Sequence, residues 1–328
     1  MRITIDSSSF NQMFAGLNGA ANTTTGNLAY ILRCMQVATF FYMNRLKVYP
    51  LTTIYAPSIC YDYNTPPNDQ TYGISASDLH LYVTYVTDKA ASYGANGKSC
   101  KYYGDGTTPL PDSTLQIGRP TMGRIVFNTY SLTDTVSALT NRLFQSIVST
   151  ALHETLHILG MDSTLYSSWL DSDSTSATYG NVYSSTTTSA SSLIASQRPN
   201  STFLTTPNVK AWTQTFFGCA TAPGMLLENQ DSSLGVGFGG GSHWERTAMY
   251  DELMTATALG PVKYFSGLSL SALRDMGWYT VDSTFNETSN YGYQKGCSFL
   301  YDACYGTNFE EFCDSAALAS ISLCSSTF

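Results

Sequence analysis

The sequence predicts an α+β fold. Strand-length runs rich in β-branched and aromatic residues cluster in its first half, two runs of helical period lie among them, and the second half turns to Ser/Thr- and Gly-rich segments with only short periodic stretches. The opening RITID alternates as a strand does. GNLAYILRCMQVATFFYMNRL then places Leu28, Ile31, Leu32, Met35, Ala38 and Tyr42 at helical spacing, a helix that should pack on a sheet. LKVYPL, SDLHLYVTYVT and GRIVFNTY read as strands. A second helical run passes from Asp134 through Val136, Leu139, Leu143, Ile147 and Ala151 and stops at Gly160, a residue suited to ending a helix. From Asp162 to Thr202 the chain is Ser/Thr-rich and predicts a long surface insertion, read either as a lid beside a cleft or as a solvated excursion. GVGFGGGSHW is a glycine-rich approach to His243, SGLSLSALRDMGWY predicts a short helix bearing Leu268, Leu270, Leu273 and Met276, and a tail with Cys297, Cys304, Cys313 and Cys324 closes the chain.

The bulk numbers exclude whole classes of partner. A chain of 328 residues buries a sizeable core, and a formal net charge of -8 without any basic run argues against nucleic acid or anionic lipid as a main partner. Eight cysteines without a C-x-x-C pair point to disulfides in an oxidising compartment. The sequons at Asn22, Asn200 and Asn286 point the same way and are glycosylation candidates. MRITIDSSSF lacks the apolar core of a secretory signal, no segment reaches the length of a membrane span, and LCSSTF lacks a hydrophobic anchor tail, so a mature or trimmed form is expected.

The chemistry concentrates in HETLHILGMDS, residues 153 to 163. On a helix, His153 and His157 project from one face and can share a zinc ion, with Glu154 turned to reach a water on that ion. A hydrolytic zinc keeps three protein ligands and leaves the fourth position for water. In the continuous H-E-x-x-H-x-x-G-x-x-H pattern of metzincins the glycine turns the chain so that a last histidine returns to the metal. Here Gly160 is present but Ser163 stands at the last position, so the third ligand comes from elsewhere. A distal glutamate on a second helix is one architecture, which would not need Gly160. Among histidines, only His80 and His243 remain. His80, in DLHLYVTYV, reads first as a cross-strand neighbour on a half-solvated sheet face. His243, in GGGSHWER, follows glycines that permit close backbone approach and is the preferred candidate. Met254, in DELMT, is either core filler or the methionine of a turn beneath the metal.

These residues resemble the leishmanolysins, a metzincin family in which an inserted segment separates the glycine of the helix motif from the third zinc histidine. The matching text is HETLHILGM, then GSHWER, DELMT and LRDMGWY, with SASDLHLYVT and GRPTMGRIVFN upstream. The resemblance implies a metzincin-type zincin with three parts: an N-terminal catalytic domain over residues 1–160 with a twisted sheet, a backing helix and an active-site helix; a central domain over 161–290 supplying the third ligand; and a short Cys-rich tail over 291–328. It implies zinc ligands His153, His157 and His243, catalytic Glu154, Met254 as the turn methionine, and disulfides Cys60–Cys100 and Cys219–Cys297. Cys34 is expected to be buried or disulfide-bonded, and the tail is far shorter than the family's Cys-rich third domain.

The expected function is zinc-dependent endopeptidase activity on peptide or protein substrates, outside the cell as a secreted or cell-surface glycoprotein. An extended substrate would pair with an exposed sheet edge, for which the strand holding Leu81 to Val86 is the candidate. The alternative is a catalytically inactive, zinc-stabilised adhesion or structural module.

Overall fold

RITID forms strand β1 (Ile3–Asp6), and the strand predicted around Leu81 becomes β2 (Leu79–Val86). In the computed structural model the described residues are 1–9, 23–91, 93–104, 116–130, 141–189, 201–228, 241–256, 263–282, 284, 287–302, 309 and 311. The sequons at Asn22, Asn200 and Asn286, the start of the second helical run before Asn141, and Cys304, Cys313 and Cys324 lie outside them. The described elements mix strands and helices throughout, in two compact units.

The first unit comprises residues 1–183, 257–263 and 276–285. Its sheet adds β3 (Ala95–Tyr102) and β4 (Pro120–Asn128) to β1 and β2, in the order β1-β2-β4-β3. The β1-β2 and β2-β4 pairs are parallel, whereas β3 runs antiparallel to β4 along the sheet edge. Strand β2 is therefore internal, and the Leu81 to Val86 segment expected to receive a substrate is already paired with β4. Its apolar run reflects burial on both faces, which is what an interior parallel strand requires. Tyr82 and Met122 meet Leu51, Ile54, Cys60 and Tyr103 on one face, where a Cys60–Cys100 disulfide ties a neighbouring turn to β3.

Helix α1 (Thr23–Arg45) buries Ile31, Cys34, Met35, Ala38 and Tyr42, and the Tyr42 hydroxyl donates to the Leu152 carbonyl of helix α2 (Asn141–Leu159) at 2.9 Å. Helix α2 lies directly on the sheet because two strands lack a side chain where it crosses. A Cβ on Gly123 would stand 2.5 Å from Ile158 Cγ2, and one on Gly97 would stand 2.4 Å from the Glu154 carbonyl oxygen. The Ser/Thr-rich segment after Asp162 is a surface excursion only in part: Leu165, Tyr166, Trp169 and Leu170 are buried where it leaves α2, whereas nearly all described residues from Ser172 to Ser189 are exposed or half-exposed as expected.

The second unit comprises residues 184–256, 264–275 and 286–328. A three-stranded antiparallel sheet joins β5 (Thr187–Ser189), β6 (Thr202–Leu204) and β7 (Met225–Leu227). Helix α3 (Pro207–Phe217) starts with proline in its first turn and ends at Gly218, whose φ of 67° is the left-handed conformation that glycine adopts without strain. Its N-terminus is capped from helix α4 (Gly267–Asp275): the buried Asp275 carboxylate accepts from the backbone N–H groups of Asn208 at 3.0 Å and Val209 at 2.9 Å. A Cys219–Cys297 disulfide closes this unit.

Candidate metal centre

Helix α2 carries HETLH on its last turns, and the i, i+4 spacing brings the two imidazoles together. Their Nε2 atoms are 3.0 Å apart, close to the roughly 3.3 Å expected of two nitrogens on one tetrahedral zinc with Zn–N bonds of about 2.0 Å. The helix end sets their orientation. Gly160 takes φ 137° and its N–H reaches the Leu156 and His157 carbonyls, after which Met161 turns its own carbonyl back to His157 Nδ1 at 2.6 Å. A carbonyl only accepts, so Nδ1 carries the proton and Nε2 has the lone pair a metal needs. Burial also holds the His157 imidazole below its ordinary pKa, outweighing the opposing pull of the Met161 carbonyl and Asp162, and this favours the neutral form. The donor set therefore fits zinc.

Carbonyls left over at the end of α2 are satisfied by side chains. The Trp169 indole donates to Gly160 at 3.2 Å and the Tyr279 hydroxyl to Leu159 at 2.8 Å. Between the histidines, Glu154 is buried at 6% exposure. Desolvation pushes its carboxyl up to about 7, against the pull of the Gly97 backbone N–H and of Lys263. A carboxyl near this value is suited to taking and returning a proton at neutral pH.

In the second unit, His243 is buried at 8% exposure, in a segment laid along β7. Glu228 N–H donates to the His243 carbonyl at 2.9 Å, and Glu245 N–H donates to Leu226 at 3.0 Å. The neighbouring Trp244 N–H donates to the Met254 carbonyl at 2.9 Å, so the structure brings His243 and Met254 into one local framework. The fully buried Met254 closes a tight turn whose N–H donates to the Glu252 carboxylate at 2.5 Å. Glu252 also accepts from the Ser266 and Ser269 hydroxyls, each at 2.6 Å, and Ser269 in turn accepts from the Trp244 indole at 3.1 Å. Burial raises the Glu252 pKa while these donors oppose it.

Sequence reasoning passed over Glu252, although it sits inside the DELMT block, and it passed over Gly97 and Gly123 because nothing local marks a glycine as a helix seat. Cys34 is a buried free thiol in α1, pushed up to about 12 by burial, so it is a packing residue.

The sequence matches the leishmanolysin family over residues 29–326. It is 33% identical over 250 residues to the ciliated left-right organizer metallopeptidase of Xenopus laevis, covering 75% of this chain and 31% of that protein. It is 28% identical over 260 residues to a leishmanolysin-like peptidase of Caenorhabditis briggsae (71% and 35% covered). Against leishmanolysin of Leishmania chagasi the identity is 24% over 254 residues (77% and 35% covered). The matched stretch thus spans about a third of the length of these curated relatives. Because the family model matches residues 29–326, most of this chain, the chain belongs to the leishmanolysin family of metallopeptidases.

Proposed function

We propose that this chain is a zinc-dependent endopeptidase in which His153, His157 and His243 hold one zinc ion, Glu154 is the general base and Met254 forms the turn beneath the site. The observation that carries the reading is on α2: two imidazole Nε2 atoms at 3.0 Å, one with its tautomer fixed by Met161, flanking a buried carboxyl pushed up to about 7. When bound, zinc supplies Lewis acidity, polarising the scissile carbonyl and lowering the pKa of a coordinated water from about 16 to about 7. Glu154 accepts the proton of the attacking water and delivers it to the leaving amine. The Gly97 N–H favours the ionised form of the Glu154 carboxyl from the sheet side.

The substrate is an extended peptide that pairs with the outer edge of β3, the antiparallel edge strand seated against Glu154 through Gly97. Two disulfides support an extracellular location, and no described helix is long and apolar enough to cross a membrane. Family membership does not favour an inactive adhesion module, and a purely structural metal has no use for a buried general base beside it.

The test is cleavage of casein by the metal-loaded chain. A chelator should abolish it and zinc restore it, and Glu154→Ala should retain zinc while losing at least about 100-fold in rate. X-ray absorption at the zinc edge should lose one nitrogen in His243→Ala. Undiminished cleavage by Glu154→Ala sinks the mechanism, and unchanged coordination in His243→Ala sinks the ligand assignment.

A further inference from the structure

The first unit holds a second cluster of metal-ligating side chains, which the peptidase reading does not use. One donor atom each from Asp6, Asp69 and His80 lies within 4.8 Å of the others. Asp6 closes β1, His80 is the second residue of β2, and Asp69 belongs to the short helix Pro67–Thr71. The parallel register places Thr4 beside His80 and Asp6 beside Tyr82, so these four side chains share one face of the sheet. His80 is buried at 5% exposure, and its Nε2 has no hydrogen-bond partner among the described residues.

A chain of hydroxyls settles which nitrogen of His80 carries the proton. The Ser77 hydroxyl donates to the Leu79 carbonyl at 2.9 Å, which uses its only proton. Ser77 Oγ therefore accepts from Thr4 Oγ1 at 2.7 Å, which uses Thr4's only proton. Thr4 Oγ1 must then accept from His80 Nδ1, also at 2.7 Å. The imidazole is left as the Nδ1–H tautomer, with a bare lone pair on buried Nε2 as the nitrogen available to the two carboxylates. A buried nitrogen lone pair without a donor, next to two carboxylates, is an unfavourable arrangement that a bound cation relieves. A neutral imidazole whose far nitrogen is pinned by a hydrogen bond is also the way proteins prepare a metal-ligating histidine. The carboxylates are anchored in the same manner: Asp69 accepts from the Tyr82 hydroxyl at 3.0 Å and Asp6 from the Ser8 N–H at 2.6 Å.

We propose that Asp6, Asp69 and His80 form a second, structural site for a divalent transition-metal ion, with zinc the fitting occupant, which fastens the end of β1 and the Pro67–Thr71 helix to β2. One imidazole and two carboxylates suit a borderline ion such as zinc better than calcium, which prefers six to eight oxygens. The 4.8 Å limit exceeds the roughly 3.3 Å between ligands on one zinc. Occupancy by zinc therefore requires the two carboxylates to draw inward onto the imidazole, away from their Tyr82 and Ser8 donors.

The experiment counts tightly held zinc per chain after exhaustive dialysis in four proteins. Wild type should hold two ions, Asp6→Asn/Asp69→Asn one, His157→Ala one, and the combination none. A zinc count in Asp6→Asn/Asp69→Asn equal to that of wild type overturns the second site, as does preferential retention of calcium. Failure of the peptidase reading has a different pattern, in which His157→Ala leaves the count unchanged while the Asn pair still lowers it. Should the Asn pair fail to fold, imidazole nitrogen NMR on the unaltered protein decides: zinc must shift His80 Nε2 while Nδ1 stays protonated, and an unmoved Nε2 overturns the proposal.

Discussion

Substitution of Gly97 by alanine isolates the contact that seats α2 on the sheet edge. The added Cβ stands 2.4 Å from the Glu154 carbonyl oxygen and 3.0 Å from its carbonyl carbon and Cβ, whereas ordinary contact begins at 3.4 Å. Neither a backbone carbonyl nor a paired strand can rotate away, so helix and strand must separate by about 1 Å, within the range where overpacking costs about 1–3 kcal/mol. Helix α2 is braced against such movement at three other places: Gly123 beneath Ile158, Tyr42 on Leu152 and Tyr279 on Leu159. Glu154 is the residue displaced, and for the general base proposed above a misplacement of about 1 Å costs about 100-fold in rate, or about 2.7 kcal/mol of transition-state stabilisation. The assay is kcat/KM for peptide cleavage, with zinc content and thermal unfolding measured on the same samples. Gly94→Ala is the control, because its Cβ would meet nothing within 4 Å. If Gly97→Ala cleaves within two-fold of wild type and melts at the same temperature, the seat is not a constraint and the reasoning fails.

Three further substitutions test the frame around the site. Gly160→Ala combines a φ of 137° with a Cβ placed 2.9 Å from both Met276 Sδ and Trp278 Cζ3, and calorimetry should show a loss of about 2–4 kcal/mol. Glu252→Ala strands two buried serine hydroxyls and the Met254 N–H, so denaturant unfolding should move by about 3 kcal/mol. Asp78 is a buried carboxylate that accepts from Arg2 Nη2 at 2.6 Å and from the Leu51 N–H at 2.9 Å. Burial raises its pKa, but the Arg2 guanidinium and the two backbone donors together hold it below the usual carboxylate value. Its contribution to stability is therefore complete above the unfolded pKa of about 3.9 and is lost as pH falls through the lower folded value. Asp78→Asn should cost about 3 kcal/mol at neutral pH and flatten the acid limb of the stability profile, and an acid limb unchanged in that variant contradicts the assignment.

The parts of the fold legible in the sequence are those whose burial is carried by large side chains. Helix α1 is legible through Ile31, Met35, Ala38 and Tyr42, and β2 and β4 through their β-branched and aromatic runs. Strand β3 is illegible for a physical reason. ANGKSCKY alternates buried and exposed positions as a strand should, but its positions toward α2, before the register shift at Ser99/Lys101, are Ala95, Gly97 and Ser99, none of which has β propensity or apolar bulk. Large residues there would have advertised the strand and also kept α2 away from it. The edge assignment missed for the same reason: with β3 invisible, the apolar β2 looked like the sheet's available strand, although its apolar character marks an interior position.

The candidate site divides along a similar line. His153, Glu154 and His157 declare themselves because one helix turn relates them, and local periodicity is what a sequence displays. The determinants of their protonation do not declare themselves. The Met161 carbonyl fixes His157 through backbone geometry that depends on Gly160, and burial of Glu154 depends on a glycine 57 positions earlier in the chain. His80 carries this furthest. Its first reading, a cross-strand neighbour on a half-solvated face, holds for the neighbour, Thr4 in the parallel register, but not for the solvation, since His80 is buried. That pairing is also what places Thr4 Oγ1 on Nδ1 and leaves Nε2 without a partner, the nitrogen proposed to join Asp6 and Asp69 in holding an ion. A structural neighbour and a metal ligand are thus compatible roles for one imidazole, because each uses a different nitrogen, and only the hydroxyl chain through Ser77 reveals which nitrogen is left over.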